Sequence, residues 1–334
     1  MCSREQLNQI IGRFGHSRIG VVGDVVADRY ITGITDRVSR EAPIIIVRQE
    51  REEVIPGGSA NVARNIAALG AKVELVALIG DDDLGREVTR ACKESGVGVG
   101  GVMVSEGCPT VTKTRVLAGA THTAPQQVLR IDHEPDGHVS ARGQRRLLNR
   151  IEAIDRRVGA WMISDYGYHL IGASLREWFQ SAAKSKPVLA DSRYAILDYR
   201  NVTAIKPNER EALEAAGVAD HREQGLLEAA RRLKQRTRAQ AVIITLGNKG
   251  MLVYRGRSNF RFVRAVGTDE IVDLTGAGDT AGAALITALA AGSDFYSAAV
   301  LATCAASVVV MKQGCACCTR NELTSVVGEY VSDE

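Results

Sequence analysis

Apolar residues recur along this chain in two distinct rhythms. Short apolar runs, several closed by a polar residue, fall at 18–24, 73–80, 161–165, 187–191, 202–206 and 241–245. Runs of this length bounded by turn residues read as buried strands. From residue 159 onward they alternate with helical stretches, the pattern of a mostly parallel sheet covered by helices on both faces. A different period appears in two places. Residues 42–48 form a β-branched run outside the alternation, while 110–117 and 127–132 alternate apolar and polar positions as half-buried antiparallel strands do. The pattern predicts a single α/β domain over 1–334 with a small β-sheet lid made from two insertions, about 35–51 and 110–132. A thin sheet with one apolar face is marginal alone, so the lid predicts a homodimer joined through its strands.

Candidate chemistry collects at the turns. Residues 273–280 read Asp-Leu-Thr-Gly-Ala-Gly-Asp-Thr and lead into the apolar run 281–290, with Ile271 and Val272 as the end of a possible strand. A turn with two glycines opening a helix presents unpaired N–H groups at the positive end of the helix dipole, which suits a phosphate. Asp279 would repel a phosphate there unless it takes a proton from a hydroxyl attacking that phosphate. It also fits a plain helix N-cap, and the residues alone leave both readings open. The segment matches the dinucleotide fingerprint G-x-G-x-x-A with Asp294 downstream. That fingerprint needs a second strand ending in the acid, and 297–310 reads as a helix, so the context excludes it.

Asp24 closes the run 18–24, with Asp28 four residues beyond; such a pair can grip sugar hydroxyls, or serve turn chemistry. Residues 56–70 are a Gly-rich turn opening a helix. There Gly57 and Gly58 allow close approach to the backbone, and Asn61 offers both donor and acceptor. The acids Asp81, Asp82 and Asp83 read as a capped, solvated turn before a metal site.

Composition narrows the class further. A chain of 334 residues can form one large α/β domain or a core with an appendage. A net charge of +3 is too small to imply nucleic acid, and 4% aromatic residues leave little for a base-stacking platform. The basic clusters at 142–157 and 231–238 read as solvated helix faces. The N-terminus shows no apolar signal core and no apolar span reaches membrane length. With seven cysteines, an odd number, this predicts reduced thiols in the cytoplasm. Cys304, Cys315, Cys317 and Cys318 lack zinc spacing and a nearby His, and read as packed free thiols.

Taken together, 57–63 (Gly-Gly-Ser-Ala-Asn-Val-Ala) and 273–280 resemble the two signatures of the ribokinase/PfkB sugar kinases. Residues 206–211 (Lys-Pro-Asn-Glu-Arg-Glu) resemble their Asn-Pro-x-Glu-type motif, with Lys206 where Asn often stands. Within the family the likeness is to bacterial heptose 7-phosphate kinases of lipopolysaccharide-precursor synthesis. It is carried by 23–30, 38–43, 112–115, 129–132 and 164–166. Some members are fused to a nucleotidyltransferase, and this chain is expected to be the separate kinase. The resemblance implies a ribokinase-like fold and ATP-dependent phosphorylation of an anomeric hydroxyl, with Asp279 as general base and the Gly276, Ala277 and Gly278 backbone holding phosphate. It implies Mg²⁺ held through water by Asn208 and Glu211. Lys206, Thr245, Gly247, Gly250 and Thr275 fall on the nucleotide side. Asp24, Asp28, Gly57, Gly58, Asn61 and Asp165 fall on the sugar side. In some relatives a monovalent cation binds, and Asp273 and Thr275 would contribute to such a site. On the lid strands, Lys113, Arg115 and Arg130 are either solvated charges or, if turned inward, neutralise a phosphate already on the sugar. No Walker A lysine motif is present. The chain departs from the pattern at Asp191-Ser-Arg193, where Asp-Pro-Lys is expected, at Thr303-Cys304, and in the Cys-rich segment from Cys315. The alternatives are a kinase for another sugar or a nucleoside, and a non-catalytic sugar-binding protein on the same scaffold.

Overall fold

The computed structural model describes residues 2–38, 41, 44–105, 107–119, 125–135, 137, 139–266 and 272–332. The expectations placed on Ser39, Arg40, Ala42, Pro43 and Ile271 lie outside these residues. The strands are β1 (Arg18–Gly23), β2 (Val25–Val38), β3 (Ile45–Gly58), β4 (Lys72–Gly80), β5 (Gly98–Ser105), β6 (Thr112–Gly119), β7 (Gln126–His133), β8 (Ala160–Asp165), β9 (Val188–Ser192), β10 (Ala204–Ile205), β11 (Ala241–Thr245), β12 (Met251–Gly256) and β13 (Asn259–Val263).

Nine of them form one sheet in the order β13-β12-β11-β10-β9-β8-β1-β4-β5. All neighbours from β11 to β5 pair in parallel, and β12 and β13 add an antiparallel hairpin at one edge. Successive side chains of a strand point to opposite faces, so β1 sends Ile19 and Val21 to one hydrophobic cluster and Val22 to the other. The first cluster takes Leu7, Ile66, Leu285, Leu301 and Leu323 from five helices. The second takes Leu147, Leu175, Leu213 and Leu233 from four more. The α/β sandwich is the architecture the sequence pattern predicts.

The helix Ala277–Ala290 is buried along most of its length, which explains why its sequence carries almost no polar face. Asp294 accepts hydrogen bonds from the N–H groups of Tyr296 and Ser297 and caps the helix Phe295–Val309. No strand follows Ala290 directly, and the dinucleotide reading has no structural counterpart. Asp82 likewise caps Asp83–Glu94 through the Gly85 N–H and binds Thr110 (2.7–2.8 Å).

The lid is a separate four-stranded sheet in the order β3-β2-β6-β7. Its first two strands run further toward the core than the apolar-polar alternation indicates. Val25, Val26, Ala27 and Asp28 are all buried where the lid joins the main sheet, so the alternation is erased at the root. Gly57 and Gly58 are part of β3, opposite Val26 and Val25. A side chain on Gly57 would collide with the Asp28 carboxylate, and Gly58 has φ of +59°. Both positions therefore demand glycine. No helix among the described residues is long and apolar enough to cross a membrane.

Candidate active site

Parallel strands deliver their carboxyl ends to one edge of a sheet, and ligands of open α/β sheets bind there. Here β1, β8, β9, β10 and β11 end at or next to Asp24, Asp165, Asp191, Lys206 and Thr245. The helix Ala277–Ala290 starts at the same edge. A cavity of ≈ 250 Å³ opens between them, lined by residues that include Tyr166, Asp191, Lys206, Asn208, Glu211, Thr245, Gly276, Gly278 and Asp279.

Gly276 is the N-cap residue of that helix, with φ of +79°, and Asp279 is its third residue. The Ala277 N–H turns to the Leu274 carbonyl (3.3 Å) and the first regular helical bond is Thr280 N–H to Gly276 O (2.9 Å). The N–H groups of Gly278 and Asp279 stay available at the positive end of the helix. Asp279 does not cap its own helix. Its Oδ2 accepts from Asn61 Nδ2 (2.9 Å) and its Oδ1 from the Tyr166 hydroxyl (2.6 Å). Burial raises its pKa to about 6, held back by those two hydrogen bonds and by Lys206. A carboxylate poised there suits proton abstraction near neutral pH.

Asn61 is itself fixed by the helix Ser59–Ala68, where Asn65 Nδ2 donates to its carbonyl (3.1 Å) and side-chain oxygen (3.2 Å). Asp24 is buried, and its Oδ2 accepts from the N–H groups of Tyr166 (2.8 Å) and Tyr168 (3.3 Å). Burial, then the charge of Asp165, push it up to about 7. Asp165 has both oxygens engaged. Ser192 and Tyr199 donate to Oδ2 (2.8 and 2.6 Å) and the Gly167 N–H to Oδ1 (3.0 Å). The geometry gives Asp165 the task of shaping the turn that carries Tyr166.

On the cavity's other wall Lys206 and Asp191 form a buried ion pair (2.8 Å) that presents a fixed cation beside Gly278 and Asp279. Burial raises the pKa of Asp191, whereas the attraction of Asp191 keeps Lys206 charged. Asn208 and Glu211 form a reciprocal capping box: Asn208 N–H donates to Glu211 Oε2 (2.9 Å) and Glu211 N–H to Asn208 Oδ1 (2.8 Å). Glu211 Oε1 has no hydrogen bond among the described residues, and the carboxylate lines the cavity. That free oxygen fits a role in holding a hydrated Mg²⁺, an ion that keeps several waters. No group of three or more His, Cys, Asp or Glu among the described residues is arranged to ligate a metal directly.

Thr275 and Asp273 are occupied with the loop itself. The Thr275 N–H and hydroxyl donate to Asp273 Oδ1 (2.9 and 2.7 Å) and the Gly314 N–H to Oδ2 (2.9 Å). Gly247 and Gly250 shape the loop after β11, both at positive φ. A side chain at Gly250 would run into the Val263 carbonyl.

The lid contributes cations from above. Arg115, half-buried, forms an ion pair with the buried Asp28 and lies over the Tyr30 ring at 5.3 Å. Lys113 is buried, stands over the rings of Tyr166 and Tyr168 (5.7 and 5.9 Å), and has no ion pair among the described residues. Arg130 lies on β7, which is exposed throughout, and pairs with Asp132 (2.6–2.7 Å). Sequence reasoning missed Tyr166, and it read Cys315 correctly as a packed free thiol without foreseeing its place beside Asp28. Tyr166 carried only its place in a motif. The buried Cys315 thiol lies 3.4 Å from Asp28 Oδ2, a contact across 287 positions that no local pattern announces.

A helix start with unpaired N–H groups and a buried carboxylate beside it, at the carboxyl edge of a parallel sheet, have the geometry of a phosphotransferase site on an α/β scaffold. The comparisons agree. The model of the pfkB family carbohydrate kinases matches residues 17–322, and the chain belongs to that family. The bifunctional protein HldE of Azorhizobium caulinodans is 36% identical over 313 residues, covering 92% of this chain and 64% of that protein. The HldE protein of Shewanella amazonensis is 38% identical over 320 residues, covering 95% and 65%. This chain thus spans less than two thirds of those relatives. Among solved structures, phosphofructokinase-2 from Escherichia coli in complex with potassium superposes with a TM-score of 0.77 at 20% identity, covering 94% of this chain and 99% of that one. Arabidopsis thaliana ribokinase with ribose and ATP gives 0.72 at 20% identity, covering 93% and 98%. The fold is ribokinase-like.

Proposed function

We propose that this protein transfers the γ-phosphate of ATP to the anomeric hydroxyl of a heptose 7-phosphate, giving a heptose 1,7-bisphosphate. The observation that carries the reading is Asp279, a buried carboxylate lining the cavity and hydrogen-bonded to Asn61 and Tyr166. Asp24 holds sugar hydroxyls, the fully buried Asn61 holds Asp279, and Asp279 takes the proton from the attacking hydroxyl. The N–H groups of Gly278 and Asp279, with Lys206, stabilise charge on the transferred group. Asn208 and Glu211 would hold Mg²⁺ through water, the ion neutralising charge on the nucleotide phosphates.

The seven-carbon phosphate is favoured by the likeness to the HldE proteins and by Lys113, a buried cation that feels Asp28 and Asp132 on the neighbouring strands but forms no ion pair among the described residues. The use of ATP and seven free thiols support a cytoplasmic setting. Assay of ATP consumption against free and phosphorylated pentoses, hexoses, heptoses and nucleosides tests the substrate. The expected result is turnover with heptose 7-phosphate at least about tenfold faster in kcat/KM than with any other acceptor, the scale of one well-made polar contact. A free sugar or nucleoside as best substrate would transfer the assignment to another kinase of the family, and no turnover with any acceptor would leave a binding protein.

The lid also supports a homodimer. Ile44, Ile45, Ile46, Val128, Leu129 and Ile131 expose apolar side chains on or beside its two edge strands. A second copy of the same sheet would cover them. Sedimentation velocity at micromolar concentration should show a dimer, and a monomer there would remove this part of the proposal.

A further inference from the structure

We propose that Tyr166 is the positioning residue of the site, its side chain fixing the base Asp279 while its backbone fixes the sugar-holding Asp24. The inference rests on the kinase reading above and deepens it.

Three observations meet at this residue. Its hydroxyl donates to Asp279 Oδ1 at 2.6 Å, and its N–H donates to Asp24 Oδ2 at 2.8 Å. Its ring lies under the Lys113 ammonium at 5.7 Å. The turn that carries it is anchored independently, because Asp165 accepts from the Gly167 N–H and is braced by Ser192 and Tyr199. Strand β8 ends at Asp165, so Tyr166 is the first residue beyond a rigid element. Moving it would move both acids and the lid cation together. A base must lie within hydrogen-bond reach of the hydroxyl it deprotonates, and small displacements cost large factors in rate. The phenol is the only hydroxyl among the described residues that bonds to Asp279.

Its chemistry fits the task. Burial and the charge of Asp279 push the Tyr166 hydroxyl well above its ordinary range, so it remains a donor. Donation to an ionised carboxylate favours the ionised form. The groups acting on Asp279 come from every side: Asn61 from the helix Ser59–Ala68, Asp191 at β9, Lys206 after β10, and the Cys315 thiol from the C-terminal segment. Asn61 and Lys206 act with Tyr166 and Asp191 acts against it. Removing the phenol leaves Asp279 more readily protonated. The active form is the anion, so the acid limb of the pH–rate profile must move to higher pH.

Tyr166→Phe keeps the ring under Lys113 and the N–H on Asp24 while deleting the single hydroxyl. Two readouts separate this inference from the kinase reading. The first is the titration of the Asp279 carboxyl carbon by NMR, identified by its loss in Asp279→Asn. The second is the pH profile of kcat/KM with the best acceptor. Both midpoints are expected to rise by about one to two pH units in Tyr166→Phe, the worth of a hydrogen bond to a charged group. Rate losses of about 10- to 100-fold follow on the acid side. An unmoved NMR midpoint would overturn the positioning role, even if overall activity fell. An NMR midpoint that rises while the acid limb stays fixed would uphold the Tyr166–Asp279 contact and defeat Asp279 as the base.

Discussion

Asp279→Asn is expected to lower kcat by about 10²–10⁴, the usual worth of a general base, while ATP affinity stays within about twofold. The amide has the size of the carboxylate it replaces. Its oxygen can still accept from Asn61, and its NH₂ can donate to the Tyr166 hydroxyl oxygen, which accepts as readily as it donates. The cavity should therefore keep its shape. Folding should not suffer either, because Asp279 is buried and its pKa is raised by that burial. An amide carries no charge to desolvate. Phosphate would still meet Lys206 and the same two backbone N–H groups at the helix start, which the substitution leaves in place, so nucleotide binding persists without transfer. Steady-state kinetics paired with calorimetric titration of ATP distinguishes the two effects. A variant with wild-type kcat would remove the base from the mechanism.

Lys113→Met is expected to raise KM for the phosphorylated sugar by about 10- to 100-fold, with a much smaller change for the same sugar lacking its phosphate. The factor is that of one hydrogen bond between charged groups. In the sequence, Lys113, Arg115 and Arg130 are all candidates for this contact, and Arg115 is the one expected to tell phosphorylated from free sugars. The structure separates them by their partners. Arg115 is neutralised by Asp28 and Arg130 by Asp132, whereas Lys113 is buried above two tyrosine rings without an ion pair among the described residues. Burial lowers its pKa, and a bound phosphate would raise it again. Arg115→Ala should behave differently. It leaves the buried Asp28 without its partner, a loss of about 3–5 kcal/mol, and so harms free and phosphorylated sugars alike. Kinetics with a matched pair of acceptors reads both variants. Equal losses for both sugars in Lys113→Met would leave the preference for a phosphorylated substrate without its cation.

Most of the parallel sheet was legible because six of its seven strands are isolated apolar runs, several ending at a polar residue as at Asp24, Asp165 and Asp191, whereas the glycine-rich β5 gave no such run. The lid was legible only in part. Its outer stretches alternate, but Val25 to Asp28 are buried on both faces, and a period of two vanishes where both faces are covered. Gly57 and Gly58 look like a turn in the sequence because glycine usually marks one. Here they are strand residues that leave room for Asp28 and permit a positive φ. Asp279 posed the sharpest ambiguity. An acid in the first turn of a helix can cap or catalyse. What decides between them is Asn61, 218 positions away, and Tyr166, 113 positions away. Pairings of that separation leave no local trace. The same holds for Asn208 and Glu211, whose capping box is legible as a spacing of three but whose place on the cavity wall depends on β10 and β11 lying side by side.

The central claim is that the carboxylate of Asp279 takes the proton from the anomeric hydroxyl as its oxygen attacks the terminal phosphate of ATP and ADP leaves. Phosphorus NMR of the reaction with ATP and heptose 7-phosphate reads this directly. The account predicts ADP together with a second sugar phosphorus signal coupled to the anomeric proton, formed in equal amounts. ADP accompanied only by inorganic phosphate, or a new phosphate on any other carbon, would contradict it.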